Sequence, residues 1–133
     1  MKLLSVLALF IALTTLGIQG NAQTVSNSEC LQVRTGSFVD GTLSYVTIER
    51  DSLYQTETDT RTGKWARYKV DWIDSCTYTL TLDKTNDRKT RKADKKIGVL
   101  RISITYVDED GYRYIATAPG LSEPFRGSIK RKK

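Results

Sequence analysis

The chain contains no histidine among its 133 residues. That absence excludes Ser-His-Asp and Cys-His nucleophilic catalysis, imidazole acid–base chemistry and the histidine ligand sets of common zinc and haem sites. Cysteine is scarce, with Cys30 and Cys76 alone. Two cysteines cannot build a four-cysteine metal site, and once paired they leave no thiolate nucleophile. Glycine is never clustered: Gly36 and Gly41 stand isolated, so no glycine-rich phosphate cradle exists. Beyond the N-terminal region no segment carries a 3.6-residue apolar period of useful length. No cofactor follows from these residues, and an enzyme would have to be carboxylate-based.

What is present begins with the N-terminus. Met1 and Lys2 precede an uncharged run from Leu3 to Ile18 rich in Leu, Ala, Val, Ile and Phe. Gly20, Asn21 and Ala22 then place small residues ahead of a cut before Gln23. This is the pattern of a secretory signal peptide over residues 1–22. Its apolar run is shorter than the roughly 20 residues that span a bilayer, so it reads as a cleaved leader. The expected destination is periplasmic or extracellular.

Removal of the leader leaves 111 residues, enough for one domain with a modest core. The whole chain carries 21 Lys and Arg against 15 Asp and Glu, a net +6 that falls to +5 without Lys2. Such a balance favours anionic partners. In an oxidising compartment Cys30 and Cys76 would form a disulfide, the alternative being two buried free thiols.

Residues 23–29 are polar and read as a flexible leader. From residue 30 to 129 the chain reads as a single β-domain, with Lys130 to Lys133 as a basic tail. Cys76, Tyr78, Leu80 and Leu82 alternate with Thr77, Thr79, Thr81 and Asp83, placing one face inward and one in water. Ala66, Tyr68, Val70 and Trp72 repeat the design. Leu100, Ile102, Ile104 and Tyr106 do so again, and Tyr112, Tyr114 and Ala116 follow a type I′ turn expected at Asp110-Gly111. A strand ending near Val39, another over Leu43 to Arg50 and a third over Leu53 to Thr58 extend the series. The fold class is therefore all-β: an antiparallel meander of about seven to eight strands forming a small barrel or sandwich.

Lys84 to Lys96 interrupts the alternation. Lys84, Arg88, Lys89, Arg91, Lys92, Lys95 and Lys96 are basic there, and Ala93 is the one apolar residue. The segment reads as a basic loop suited to an anionic envelope surface. It lacks the aromatic platforms that single-stranded nucleic acids stack on, so nucleic acid is not an expected partner.

Tyr68, Trp72, Tyr78, Tyr106, Tyr112 and Tyr114 all fall on inward positions. They form either an ordinary barrel core or the wall of a small-ligand pocket. Arg50 and Gln55 are the polar residues placed nearest such a pocket, where a guanidinium and an amide could grip a carboxylate. The acids Asp71, Asp74, Glu49 and Glu57 read as solvated. Asp108-Glu109-Asp110-Gly111 reads as a turn, because the oxygen ligands of a calcium loop do not follow it.

Three blocks carry a family likeness: Thr35 to Phe38, Arg50 to Glu57 and Val70 to Leu80. They fall within the span from Cys30 to Leu80, about half of the chain after the leader. They resemble short exported β-proteins of Bacteroidota-type bacteria, many of which bear a misassigned topoisomerase IV name. The resemblance implies an exported β-domain and a matched pair of Cys30 with Cys76. The topoisomerase name does not carry over, since no ATP-site or tyrosine-cleavage motif is present. Gly36-Ser37-Phe38 also echoes the Gly-x-Trp that opens lipocalins, an architectural analogy. These readings converge on an exported, non-enzymatic binder of a small apolar or amphipathic ligand. The alternative is an envelope-associated adaptor using its basic segment on anionic surfaces.

Overall fold

Period-two alternation lets each strand give one face to a shared interior, and eight strands do so here. The computed structural model describes residues 24–133; the signal peptide read over residues 1–22 lies outside them. A short helix α1 (Asn27–Leu31) precedes strands β1 (Gly36–Asp40), β2 (Val46–Arg50), β3 (Tyr54–Asp59), β4 (Trp65–Asp74) and β5 (Thr77–Thr85). A second helix α2 (Arg88–Ile97) leads into β6 (Leu100–Val107), β7 (Gly111–Thr117) and β8 (Phe125–Arg131). Each strand pairs antiparallel with the next, and β8 returns to β1 through Phe38↔Arg131, Val39↔Lys130 and Asp40↔Ile129. The meander thus closes into a barrel, which removes the exposed sheet edges an open meander would keep.

While β3 contributes the buried Gln55, the apolar interior takes residues from the other seven of the eight strands, among them Phe38, Ile48, Val70, Leu80, Ile102 and Ile129. Each is at most 5 % exposed. Burial of such a side chain stabilises by about 1.5–3 kcal/mol, and truncating Ile48 to alanine would cost roughly 2–5 kcal/mol.

The two ends of the barrel differ. At the lower end α1 lies against the β4–β5 turn, tied there by the Cys30–Cys76 disulfide. Cys30 and Val33 are fully buried and belong to the core. The sequence of α1 shows why it forms: Ser26 caps Glu29 N–H while the Glu29 carboxylate accepts from Ser26 N, a reciprocal capping box. The flexible leader expected over 23–29 therefore gives way, at its C-terminal side, to a capped helix that plugs the barrel.

The upper end carries α2, where a basic loop was expected over 84–96. Lys84 and Thr85 complete β5, and Asp87 accepts from Thr90 N and Thr90 Oγ1 to cap the helix. Gly98, at φ +82°, ends it, and Lys95 and Lys96 suit the negative end of its dipole. Thr90, Asp94 and Ile97 are half-buried at i, i+4 and i+7, so a narrow face rests on the barrel although no residue is fully buried. The Gly120 N–H donates to Ile97 O at 2.8 Å, joining α2 to the β7–β8 loop. The basic tail is likewise shorter than expected, because Lys130 and Arg131 pair within β8.

Two turns depart from their expected geometry. Among the described residues no non-glycine residue has positive φ, so Asp110-Gly111 is not a type I′ turn. Instead Asp108 Oδ1 accepts from Asp110 N at 2.8 Å and Gly111 N at 3.0 Å. Gly111 opens β7 at φ +149°, where a Cβ would lie 2.0 Å from Ile129 O. A register shift between Ile104 and Tyr106 then reverses the facing of β6. Val107 turns inward, and Tyr106 turns outward at 43 % exposure with Arg113 over its ring at 5.1 Å.

Candidate functional site

Arg50, at the lower end of β2, is 3 % exposed. Its Nε donates to Gln55 Oε1 at 2.7 Å and its Nη1 to Val33 O at 2.8 Å. Its Nη2 donates to Tyr78 OH at 3.1 Å and to Tyr112 OH, and the two phenols bond each other at 2.8 Å. The guanidinium also lies over the rings of Phe38, Tyr78 and Tyr112 at 5.2, 4.8 and 5.6 Å. Burial opposes its charge, but the surrounding Tyr78 and Tyr112 oxygens and Glu57 outweigh it and hold its pKa above the ordinary value. Burial pushes the Tyr78 phenol up, so it stays neutral. The register explains the assembly: Arg50 pairs with Gln55 across the β2–β3 hairpin, with three residues between the strands.

Above this network the barrel is not filled. A cavity of about 300 Å³ opens toward the upper end. Leu80, Leu100, Ile102, Ala116 and Ile129 supply its apolar wall. Leu121, from the β7–β8 loop, and Phe125, 57 % exposed at the start of β8, stand at its rim. Tyr78 and Tyr114 contribute aromatic surface. Tyr114 can lie flat across β8 because its partner is Gly127, where a Cβ would sit 2.5 Å from Tyr114 Cζ. Burial pushes the Tyr114 phenol upward, keeping it neutral.

Besides the Tyr78 and Tyr114 hydroxyls, the polar groups of the cavity are Asp40, Gln55 and Glu57. Gln55 is oriented by its neighbours: its oxygen faces Arg50, and its Nε2 donates to Glu57 Oε1 at 2.9 Å. Asp40, at the upper end of β1, accepts from Thr42 N and Leu43 N at 2.8 and 2.7 Å. Burial raises the Glu57 carboxyl above the ordinary value, against the lowering effects of the Gln55 hydrogen bond and the Arg50 charge. Glu57 also borders a second, more open cavity of about 210 Å³ that includes Tyr68, Trp65 and Asp87.

The expected site residues therefore separate. Gln55, Tyr78 and Tyr114 meet in the main cavity. Arg50 lies beneath it, outside its lining, with four of its five N–H donors given to Gln55, Val33, Tyr78 and Tyr112, so it does not grip a ligand carboxylate there. Tyr68 faces the second cavity. Trp72 packs on the Tyr78 ring at 4.5 Å with Arg34 over the Trp72 ring at 4.6 Å, so it belongs to the lower end. Tyr106 is outside. Asp40 and Glu57 were missed, yet period two held the signal: Glu57 is two residues beyond Gln55 and Asp40 two beyond Phe38, on the same strand faces.

Lys84, Arg88, Lys89, Arg91, Lys92, Lys95 and Lys96 are all exposed, and all but Lys84 belong to α2. They share the upper end with the cavity rim. Among the described residues no helix is long and apolar enough to cross a membrane. No protein-family model, curated protein or solved structure matches the chain.

Proposed function

We propose that the protein is an exported, non-enzymatic binding protein that holds a small apolar or amphipathic ligand in the upper cavity of its barrel. One observation carries this reading: the lower half of the barrel is packed and plugged, while about 300 Å³ above it is left open behind a mostly apolar wall. That volume stands at the small end of ligand pockets. Polar groups are confined to a few positions, as orientation of a ligand requires.

Native mass spectrometry of the protein, purified without detergent, tests the reading. An adduct that leaves on denaturation is the expected result. Ala116→Leu, which narrows the cavity from its wall, should lose the adduct while the disulfide and thermal transition persist. An adduct retained by Ala116→Leu at full occupancy would refute this cavity as its place.

The outward cations of α2 support a second reading, an envelope-associated adaptor that meets anionic surfaces. Binding to vesicles of anionic lipid should then fall steeply with salt. Substituting Lys89, Lys92 and Lys96 by glutamine should abolish it.

A further inference from the structure

We infer that the main cavity selects an amphipathic amine, an apolar body carrying a protonated amino group, over the corresponding carboxylate. The inference rests on the cavity being a ligand site, and adds the charge of the ligand's polar end.

The argument starts from which ionisable groups reach the cavity. Asp40 and Glu57 do, and among the described residues no lysine or arginine lines it. Arg50 is the cation nearest to it in the interior, but Gln55 stands between them. Nε and Nη1 of Arg50 donate to Gln55 and Val33, and Nη2 donates to both phenols. Reversing Gln55 to present its oxygen upward would place its amide hydrogens against Arg50 Nε, so its orientation is held. What Gln55 offers upward is an N–H, and Glu57 Oε1 already takes it.

The last polar group in this relay is therefore a carboxyl, which in its ionised form is acceptor-only. Among the described residues the Glu57 carboxyl has Gln55 as its one side-chain hydrogen-bond partner, leaving further lone pairs toward the cavity. An ammonium group brings three donors and a positive charge to that position. A carboxylate brings acceptors only; the neutral Tyr114 hydroxyl offers it a donor, but it meets the negative charge of Asp40 with no cation among the lining residues to compensate. In a half-closed apolar site such a mismatch is felt more strongly than in water. The apolar wall of Leu80, Leu100, Ile102 and Ile129 accommodates a short alkyl or aromatic body, with Phe125 and Leu121 covering its outer end.

Titration calorimetry of the protein with octylamine, octanol and octanoate distinguishes the parts of the argument. Octylamine should bind at least about tenfold more tightly than octanoate, a difference of about 1.4 kcal/mol, with octanol between them. In Glu57→Gln, checked for an unchanged thermal transition, the amine-to-carboxylate ratio should fall about tenfold. Octanoate or octanol binding as tightly as octylamine would overturn the charge selection and leave the ligand site standing. An unchanged ratio in Glu57→Gln would overturn the role given to that carboxyl. Failure of all three compounds to bind would overturn the ligand site and this inference with it.

Discussion

Replacing Arg50 by methionine removes the group that ties β2, β3, β5, β7 and the α1 segment together at the lower end of the barrel. The consequences can be followed atom by atom. Tyr78 and Tyr112 keep their mutual hydrogen bond at 2.8 Å. Val33 O and Gln55 Oε1 lose the donors that reach them at 2.8 and 2.7 Å. Each orphaned buried acceptor costs about 1–3 kcal/mol, giving roughly 2–6 kcal/mol for the two. Methionine fills much of the vacated volume and removes the desolvation cost of a buried guanidinium, which offsets part of the loss. The expected net destabilisation is roughly 2–4 kcal/mol. A domain of this size is stable by about 5–15 kcal/mol, so the variant should fold with a clearly lowered urea midpoint. Unfolding followed by the fluorescence of Trp65 and Trp72, disulfide intact, measures it. Arg50→Lys keeps the charge but loses the planar fork, and should recover less than half of the difference. A midpoint for Arg50→Met within about 0.5 kcal/mol of the parent, the range of ordinary surface changes, would refute the view that this network holds the end together.

The Cys30–Cys76 bridge spans a sequence separation of 46 and should stabilise by about 4 kcal/mol in the chain-entropy model. The double serine variant should lose about that amount, and a reductant should lower the parent's midpoint but not the variant's. Glu57 gives a pH signature. Burial raises its carboxyl above the ordinary 4.5, so its favourable contribution is full below that pH and is lost as pH rises through the native value. In the difference between parent and Glu57→Gln stability curves, the parent should therefore decline with rising pH from about 4.5 upward; a flat difference would count against burial of that carboxyl. Gly111→Ala forces a Cβ to 2.0 Å from Ile129 O at an unfavourable φ, and should cost at least about 1–3 kcal/mol in thermal or urea unfolding.

Much of the barrel could be read along the chain because alternation is a local property. Cys76 to Asp83 anticipated β5, Leu100 to Val107 matched β6, and the inward sets around Val70, Tyr78 and Ile102 followed from period two alone. A meander of about seven to eight strands followed from the spacing of turns, with barrel and sandwich both open, and a cysteine pair was expected from the oxidising compartment that the leader implied. The helices were missed although their caps were written in the sequence. Ser26-x-x-Glu29, and Asp87 with Gly98, mark their ends, but neither helix carries the apolar stripe that draws attention to a helix.

Other features exist only once strands are paired. The shift between Ile104 and Tyr106 is a relation between β6 and β7, and it alone decides that Tyr106 faces water and Val107 the interior. The donors of Arg50 find partners as far away as Tyr112, separated by 62 positions, which no local pattern encodes. The cavity is likewise the space left when eight inward faces close on each other, with one end occupied by α1. Local residue chemistry determined which faces turn inward; closure, register and the plugged end decided which inward groups meet one another and which meet open space.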